Sequence, residues 1–95
     1  MERRVGRFVW KIEREIENIA KHRVDFTTAS KAFADPGRKI FIDSKHSVSE
    51  DRYYCVGKVN NKIMIVRFVY REDLIRIFGA GYWRKGRMYY EKEND

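Results

Sequence analysis

The spacing of apolar residues predicts a helix early in the chain. From Trp10 to Lys21, apolar residues recur at positions i, i+4, i+7 and i+8 of one helical face. The residues of this face are Ile12, Ile16, Ile19 and Ala20, and the residues that lie off it include Glu13, Glu15 and Glu17.

A second, shorter helix is expected to run through Phe33. Asp25 or Thr27 can cap its first turn, because a short side-chain oxygen accepts from the unpaired amides there. The residues expected to face inward are Ala29, Ala32 and Phe33. The turn-forming triplet at residues 35–37, Asp-Pro-Gly, ends the helix.

Segments rich in β-branched and aromatic residues predict four strands. The predicted strands are residues 38–43, 52–59, 62–70 and 74–78, and a polar loop occupies residues 44–51. Asn60 and Asn61 tolerate positive φ angles, so they favour a two-residue turn between the second and third strands. Gly79 and Gly81 are expected to loosen the chain before a last helix, from about Trp83 towards Glu91.

Together these elements predict an α+β fold. Short connections between consecutive strands are typical of an antiparallel meander. We therefore expect two N-terminal helices, a four-stranded antiparallel meander sheet and a C-terminal helix, with the helices covering one face of the sheet. A chain of 95 residues without a linker predicts a single domain over residues 1–95.

The distribution of charge narrows the choice of partner. The chain has 21 Lys and Arg against 14 Asp and Glu, which gives a net charge of +7. Residues 58–87 hold eight of these cations and only two acids, so the excess is concentrated there. A concentrated basic region favours nucleic acid or an acidic protein partner, and a merely basic, soluble surface is the alternative.

Composition also indicates a location. Cys55 is the one cysteine, so an internal disulfide is excluded and a reducing cytoplasm fits. No apolar run approaches the length that spans a membrane, and no signal-peptide pattern follows Met1. We expect a cytoplasmic protein that does not associate with membranes.

The segment from Gly79 to Arg87 is the strongest indication of an RNA ligand. Glycine lets backbone approach a ligand closely, aromatic rings stack on bases, and Arg and Lys bind phosphates. The RNA-binding candidates in this segment are Tyr82, Trp83, Arg84, Lys85 and Arg87. The alternative is that the rings of Trp83 and Tyr90 hold the last helix against the sheet.

Two arginines interrupt strands that are otherwise apolar. Arg76 lies within Leu-Ile-Arg-Ile-Phe, and Arg67 falls on an apolar face of the third predicted strand. A charge in such a place needs an ionic partner or an anionic ligand. An anion site is one interpretation, and salt bridges to Glu50, Asp51 or a helix glutamate are the other.

The loop at residues 44–51 carries two groups able to move protons, His46 and Glu50. A merely solvated histidine is the alternative for His46. His22 is expected at a helix C-terminus, where a protonated imidazole interacts favourably with the helix dipole, and a catalytic role is the alternative. The histidines and Cys55 lack the spacing of metal ligands, so we expect no metal and no cofactor.

Short motifs between residues 8 and 80, taken in order, resemble the BrnT family of bacterial toxins. They are Phe8-x-Trp10, Asn18-x-x-Lys21-His22-x-Val24-x-Phe26, Ala29-x-x-x-Phe33-x-Asp35-Pro36, Asp43-x-x-His46-Ser47-x-x-Glu50-Asp51-Arg52, Gly57 and Ile75-Arg76-Ile77-x-x-Ala80. The resemblance implies a small ribonuclease of RelE-like fold from a type II toxin–antitoxin system. It also implies a BrnA-like antitoxin with a ribbon-helix-helix domain, through which the pair would reach operator DNA.

The chain departs from this family at two places. Many members have Ser-Ala-Arg where this chain has Gly79-Ala80-Gly81, so one cation is absent there. Arg84, Lys85 or Arg87 could replace it. Lys11 stands where an acid is common.

RelE-like toxins resemble metal-independent ribonucleases, in which the RNA 2′-hydroxyl attacks the adjacent phosphate. On that basis we expect Arg52 and Arg76 to be phosphate clamps, Glu50 or His46 to be the base or acid, and Arg67 to contact RNA. Two alternatives are a module that binds nucleic acid without cleaving it and a module whose basic face seats the antitoxin.

Overall fold

The computed structural model describes residues 1–92, so the last three residues of the predicted 1–95 domain lie outside the described residues. Short 3-10 helices occur at Lys31–Ala34 and Ser44–His46. The strands and α-helices in chain order are β1 (Glu2–Val5), β2 (Phe8–Lys11), α1 (Ile12–His22), α2 (Phe26–Ser30), β3 (Lys39–Ile42), β4 (Tyr53–Val59), β5 (Lys62–Arg71), β6 (Leu74–Gly81) and α3 (Arg84–Glu91).

The strands of residues 1–92 form one six-stranded sheet in the order β1-β2-β6-β5-β4-β3. Neighbouring strands are antiparallel, except that β2 and β6 run parallel. The predicted α+β class is therefore confirmed. The predicted four-stranded antiparallel sheet is wrong in detail, because the sheet is mixed and an N-terminal hairpin adds two strands.

The N-terminal hairpin of β1 and β2 escaped prediction because it has little apolar pattern. β1 reads Glu-Arg-Arg-Val, and all four residues are exposed. β2 carries Val9 and Trp10 into the interior, but its four residues run directly into α1. Trp10 consequently belongs to a strand, and the first helix starts at Ile12 instead.

Helix α1 packs through polar side chains and turns its isoleucine face outward. Its one buried residue is Asn18, whose amide bonds the Val24 carbonyl at 2.9 Å and the backbone of Ala80 at 2.9 and 3.1 Å. Of the predicted apolar face, Ile16 is 61% and Ile19 is 43% exposed. Because Asn18 satisfies strand and loop backbone groups at once, it fixes which face of α1 meets the sheet.

A second polar contact joins α1 to the start of α2. The Glu15 carboxylate accepts from the Trp10 indole N–H at 3.0 Å and from the Phe26 backbone N–H at 2.9 Å. Of the two predicted caps, Asp25 is the one that caps α2, and it accepts from the Thr28 backbone N–H at 3.0 Å. The start of α2 is therefore fixed by the hydrogen bond from Phe26 to Glu15 on α1 and by the Asp25 cap.

The hydrophobic core lies between the sheet and the segment formed by α2 and the following 3-10 helix. Trp10, Phe26 and Phe68 are fully buried within it. Gly57 on β4 permits the close approach of this segment, since a Cβ there would lie 2.4 Å from the Ala32 carbonyl oxygen.

Two tight turns connect the consecutive strands β4, β5 and β6. Asn60 and Asn61 have φ angles of 52° and 63°, which confirms the predicted two-residue turn. Glu72 and Asp73 adopt nearly the same conformation, with φ angles of 53° and 63°. Both turns therefore reverse the chain within two residues of left-handed backbone.

Strand β6 extends further than its glycines suggested. The prediction that Gly79 and Gly81 loosen the chain is wrong, because both pair with β5 beyond a bulge between Arg67 and Phe68. The bulge changes the local register and strand direction. Residues on the face of β5 and β6 opposite the core then lie beside α1 and α3, where the candidate site is found.

Candidate nucleic-acid interface

Residues from the sheet, α1 and the loop before β4 line a groove of about 410 Å³, which we call the arginine groove. Its floor is the sheet face opposite the core, and α1 and the loop before β4 form its sides. The charged and aromatic residues that line it are Lys11, Arg14, Glu17, Lys21, His22, Glu50, Arg52, Arg67, Arg71, Arg76, Phe78 and Trp83.

The arginine groove is strongly positive. Seven of its lining residues are Lys or Arg and two are Glu. A concave, one-sided charge distribution attracts polyanions more strongly than the same charges dispersed over the surface.

The groove brings together five of the site residues predicted from the sequence, namely Glu50, Arg52, Arg67, Arg76 and Trp83. Sequence reasoning missed its other cations, Lys11, Arg14, Lys21 and Arg71. Lys11 ends β2 immediately before α1, and Arg14 and Lys21 lie at positions i and i+7 on one side of α1. This spacing is the sequence feature that could have predicted a row of cations on α1.

Arg76 is held by a carboxylate that the sequence did not suggest. Its Nη1 lies 2.6 Å from Glu2 Oε2 on β1, so the ion pair predicted with Glu50, Asp51 or a helix glutamate is wrong as to partner. The hydrogen bond from Arg76 lowers the pKa of the Glu2 carboxyl. Arg76 Nε is buried and has no hydrogen-bond partner in residues 1–92.

Arg52 and Arg67 contact aromatic rings instead of carboxylates. The Arg52 guanidinium lies 5.1 Å from the centre of the Phe78 ring, and that of Arg67 lies 5.7 Å from Trp83. Neither has a salt bridge within the described part of the chain. A guanidinium over a ring keeps its N–H edges available to a planar or tetrahedral anion.

Glu50 is engaged at the rim of the arginine groove. Its Oε1 accepts a hydrogen bond from Arg71 Nη2 at 2.6 Å, and both side chains are substantially exposed. A surface pair of this kind is worth about 0–1 kcal/mol, so it can exchange partners readily.

A smaller concavity of about 330 Å³, the histidine groove, adjoins the arginine groove. Arg67 and Trp83 line both. The residues that line the histidine groove are Asp43, Lys45, His46, Tyr54, Ile65, Arg67, Trp83, Lys85 and Tyr89. His46 is therefore not in the same groove as Arg52 and Arg76, but it lies next to the arginine that separates the two.

The RNA-binding candidates at the end of the chain are divided among these surfaces. Lys85 lines the histidine groove, while Tyr82, Arg84 and Arg87 line a third hollow of about 560 Å³ beside α3. Trp83 lines all three concavities.

Some of these side chains are also structural. Arg87 pairs with Glu91 at 2.9 Å. Tyr90 donates to Asp35 Oδ2 at 2.7 Å, which ties α3 to the loop before β3. Trp83 packs against Gly81 and lies 4.9 Å, ring centre to ring centre, from His22 at the end of α1.

Residues 1–92 offer neither a metal site nor a membrane-spanning helix. No group of three or more His, Cys, Asp or Glu side chains in residues 1–92 is arranged to hold a metal ion. None of the helices in this range has the length and hydropathy that crossing a membrane requires. Cys55 is buried, and burial raises the pKa of its thiol to about 12, so it is not a ready nucleophile.

Comparison with known proteins identifies the family. A family model described as ribonuclease toxin, BrnT, of type II toxin–antitoxin system matches residues 10–86. No curated protein matches the chain significantly. The family match leaves out β1 and therefore Glu2, but includes the arginines of the groove. Because the match covers most of the sequence, the chain belongs to the BrnT family of type II toxin–antitoxin ribonuclease toxins.

Proposed function

We propose that this protein is a metal-independent endoribonuclease whose arginine groove holds the RNA backbone. The observation that carries the proposal is that Arg52, Arg67 and Arg76 line one groove, and that Arg52 and Arg67 have no carboxylate partner among residues 1–92. Guanidinium groups recognise phosphate by paired, charge-assisted hydrogen bonds. Membership of a ribonuclease toxin family makes RNA the expected polyanion.

In the proposed reaction, the RNA 2′-hydroxyl attacks the adjacent phosphorus and the 5′-oxygen leaves. Negative charge builds up on the phosphorane, and Arg52 and Arg76 stabilise it. Preorganised cations aimed at developing charge contribute about 3 kcal/mol each in favourable sites. Arg76 reaches the phosphate once its guanidinium exchanges Glu2 for the substrate.

Proton transfer is assigned to Glu50 or His46. Glu50 already lies in the arginine groove, although Arg71 engages it. His46 approaches from the adjoining histidine groove. Glu50 lines the same groove as Arg52 and Arg76, and His46 lines the adjoining groove with Arg67.

The end of the chain would position the RNA on either side of the scissile bond. Tyr82 and Trp83 offer rings for base stacking, and Arg84, Lys85 and Arg87 offer cations for flanking phosphates. Their distribution over three connected concavities suits a single strand that bends around Trp83.

A type II toxin has an antitoxin partner, and we propose that it is a BrnA-like protein with a ribbon-helix-helix domain. The antitoxin would neutralise the toxin in the cytoplasm, and the pair would contact operator DNA only through the antitoxin. The positive groove suits an acidic antitoxin segment as well as RNA.

The proposal is tested by incubating the purified protein with total RNA and a metal chelator, followed by analysis of the new ends. We expect cleavage that leaves cyclic phosphate ends. RNA that remains intact at high protein excess, yet is bound with salt-sensitive affinity, would favour the non-catalytic nucleic-acid-binding module. Intact RNA without binding would favour the antitoxin-binding module.

A further inference from the structure

The 3-10 turn at Ser44–His46 places an imidazole against a carboxylate. His46 Nδ1 lies 2.9 Å from Asp43 Oδ2 and 3.1 Å from Oδ1. The Asp43 side chain is 20% exposed, while that of His46 is 53% exposed. The carboxylate is thus the sheltered partner and the imidazole the one that faces solvent.

The backbone around Asp43 is fixed independently of its carboxylate. Its N–H donates to the Arg52 carbonyl at 2.7 Å, and its carbonyl accepts from the Ser47 hydroxyl at 2.7 Å. The Arg52 N–H in turn donates to Ser47 Oγ at 2.9 Å. These bonds join Asp43, His46, Ser47 and Arg52 in one hydrogen-bonded unit, so the orientation of His46 is coupled to the position of Arg52.

The contact with Asp43 defines the tautomer of a neutral His46. A carboxylate only accepts hydrogen bonds, so the proton must sit on Nδ1. Nε2 then carries a lone pair, and it has no hydrogen-bond partner in residues 1–92. An imidazole held in this way is ready to accept a proton at Nε2.

The surroundings of His46 suit a phosphodiester. The cations of the histidine groove are Lys45, Arg67 and Lys85, its phenols are Tyr54 and Tyr89, and Asp43 is its single carboxylate among the lining residues. Arg67 faces both grooves. A phosphate held at Arg67 would therefore have Arg52 and Arg76 on one side and His46 on the other.

We propose that Asp43 is a positioning residue that orients His46 as the general base, and that the scissile phosphate lies over Arg67. This inference rests on the proposed ribonuclease function. In the step, Nε2 takes the 2′-hydroxyl proton while the 2′-oxygen forms its bond to phosphorus. The bond from phosphorus to the 5′-oxygen breaks, the 5′-oxygen takes a proton from water, and the imidazolium returns its proton to solvent.

Kinetics on a defined RNA test the assignment. We expect His46→Gln to lower kcat by about 100-fold to 10,000-fold, the usual contribution of a general base. Asp43→Asn should lower kcat at least about tenfold with little change in KM, and it should add nothing in the His46→Gln background. Asp51→Asn is the matched control, because it removes the same charge from an exposed position in the same loop and should leave kcat unchanged.

Nitrogen NMR of the His46 ring supplies a readout that a merely structural role would not change. In spectra of the neutral imidazole, the wild-type ring should carry its proton on Nδ1. In Asp43→Asn the side-chain amide can rotate to donate, and the proton should move to Nε2. An unchanged tautomer in Asp43→Asn would overturn the positioning role, whether or not the protein cleaves RNA.

The two proposals fail in different ways. If wild-type protein makes no new RNA ends, the ribonuclease proposal fails. If Arg52→Ala is inactive while folded His46→Gln keeps the wild-type kcat, the ribonuclease stands and His46 is not its base. Circular dichroism and thermal unfolding of each variant establish that it is folded.

Discussion

The two faces of strand β5 lie in different surroundings, although their residues alternate along the same strand. Phe68 points into the core and is fully buried, while its neighbour Arg67 faces the grooves over the Trp83 ring. Because successive side chains of a strand point to opposite faces, these adjacent residues place a packed face and a groove-lining face one residue apart. We therefore expect a substitution of Phe68 to change mainly the stability, and a substitution of Arg67 to change mainly the cleavage of RNA.

The largest expected effect is on the core face. Phe68→Ala should lower the free energy of unfolding by about 3–5 kcal/mol, because it leaves a cavity among packed aromatic rings. Chemical denaturation measures this change. At a temperature where the variant is folded, its cleavage rate per folded molecule should stay near that of the wild type. A variant of wild-type stability would show that the core is not where the structure puts it.

A substitution of the neighbouring Arg67 should lower the cleavage rate and leave the stability nearly unchanged. Arg67→Met keeps much of the side-chain stem over Trp83 but removes the charge, so unfolding should change by no more than about 0.5 kcal/mol. Cleavage should fall at least about tenfold, because the phosphate loses a charge-assisted contact. Full activity with lost stability would reverse the assignment of the two faces.

Tyr90→Phe tests the link between α3 and the rest of the fold. Desolvation alone would raise the pKa of Asp35, but hydrogen bonds from Lys58 N–H, Gly37 N–H and the Tyr90 hydroxyl lower it overall. Removing one bond should cost about 1 kcal/mol at pH 7.

The sign of the pH dependence follows from the lowered pKa of Asp35. A carboxyl with a lowered folded-state pKa adds stability above its unfolded pKa of about 4, and that stability disappears as the pH falls through the folded value. The difference between wild type and Tyr90→Phe should therefore shrink in acid. Unfolding curves at pH 7 and at lower pH measure it, and a constant difference would contradict the role of Asp35.

The smallest effect is expected at Glu2, which lies outside the family match and forms an ion pair with Arg76. Glu2→Gln should free the guanidinium and raise RNA affinity by up to about fivefold, since an ion pair that is partly exposed to solvent is weak. Glu13→Gln is the matched control, because it removes an exposed carboxylate that pairs with the N-terminus instead. Equal gains in both variants would reduce the effect to net charge.

Much of the fold could be predicted because its elements carry local signals. The apolar strands β4 and β5, the Asn60-Asn61 turn and the Asp25 cap all follow from residue type and spacing. The hairpin of β1 and β2 could not be predicted. β1 has no apolar face, and β2 pairs in parallel with β6, which is distant in sequence.

The orientation of α1 was also beyond sequence reasoning. Its isoleucines form the obvious apolar face, yet Asn18 and Glu15 make the contacts to the rest of the molecule. A buried polar group that satisfies several backbone atoms can outweigh a short apolar stripe. Such partners are tertiary and leave no periodic signal.

The candidate site was predictable as residue types but not as an arrangement. An arginine within an apolar strand predicts an ionic contact, and Arg76 makes one with Glu2. Its partner Glu2 lies 74 positions away along the chain, so no spacing could reveal it. The distribution of the aromatic and basic C-terminal segment over three concavities likewise depends on where β6 ends.

The most direct test of the central claim is the cleavage rate of folded Arg52→Ala and Arg76→Ala on a defined RNA. Arg3→Ala, which removes an equal charge from exposed strand β1 away from the groove, is the control. The arrangement of the arginine groove predicts losses of roughly 100-fold in each of the first two and wild-type activity in the third. Wild-type rates in both Arg52→Ala and Arg76→Ala would contradict the claim that these guanidinium groups grip the scissile phosphate.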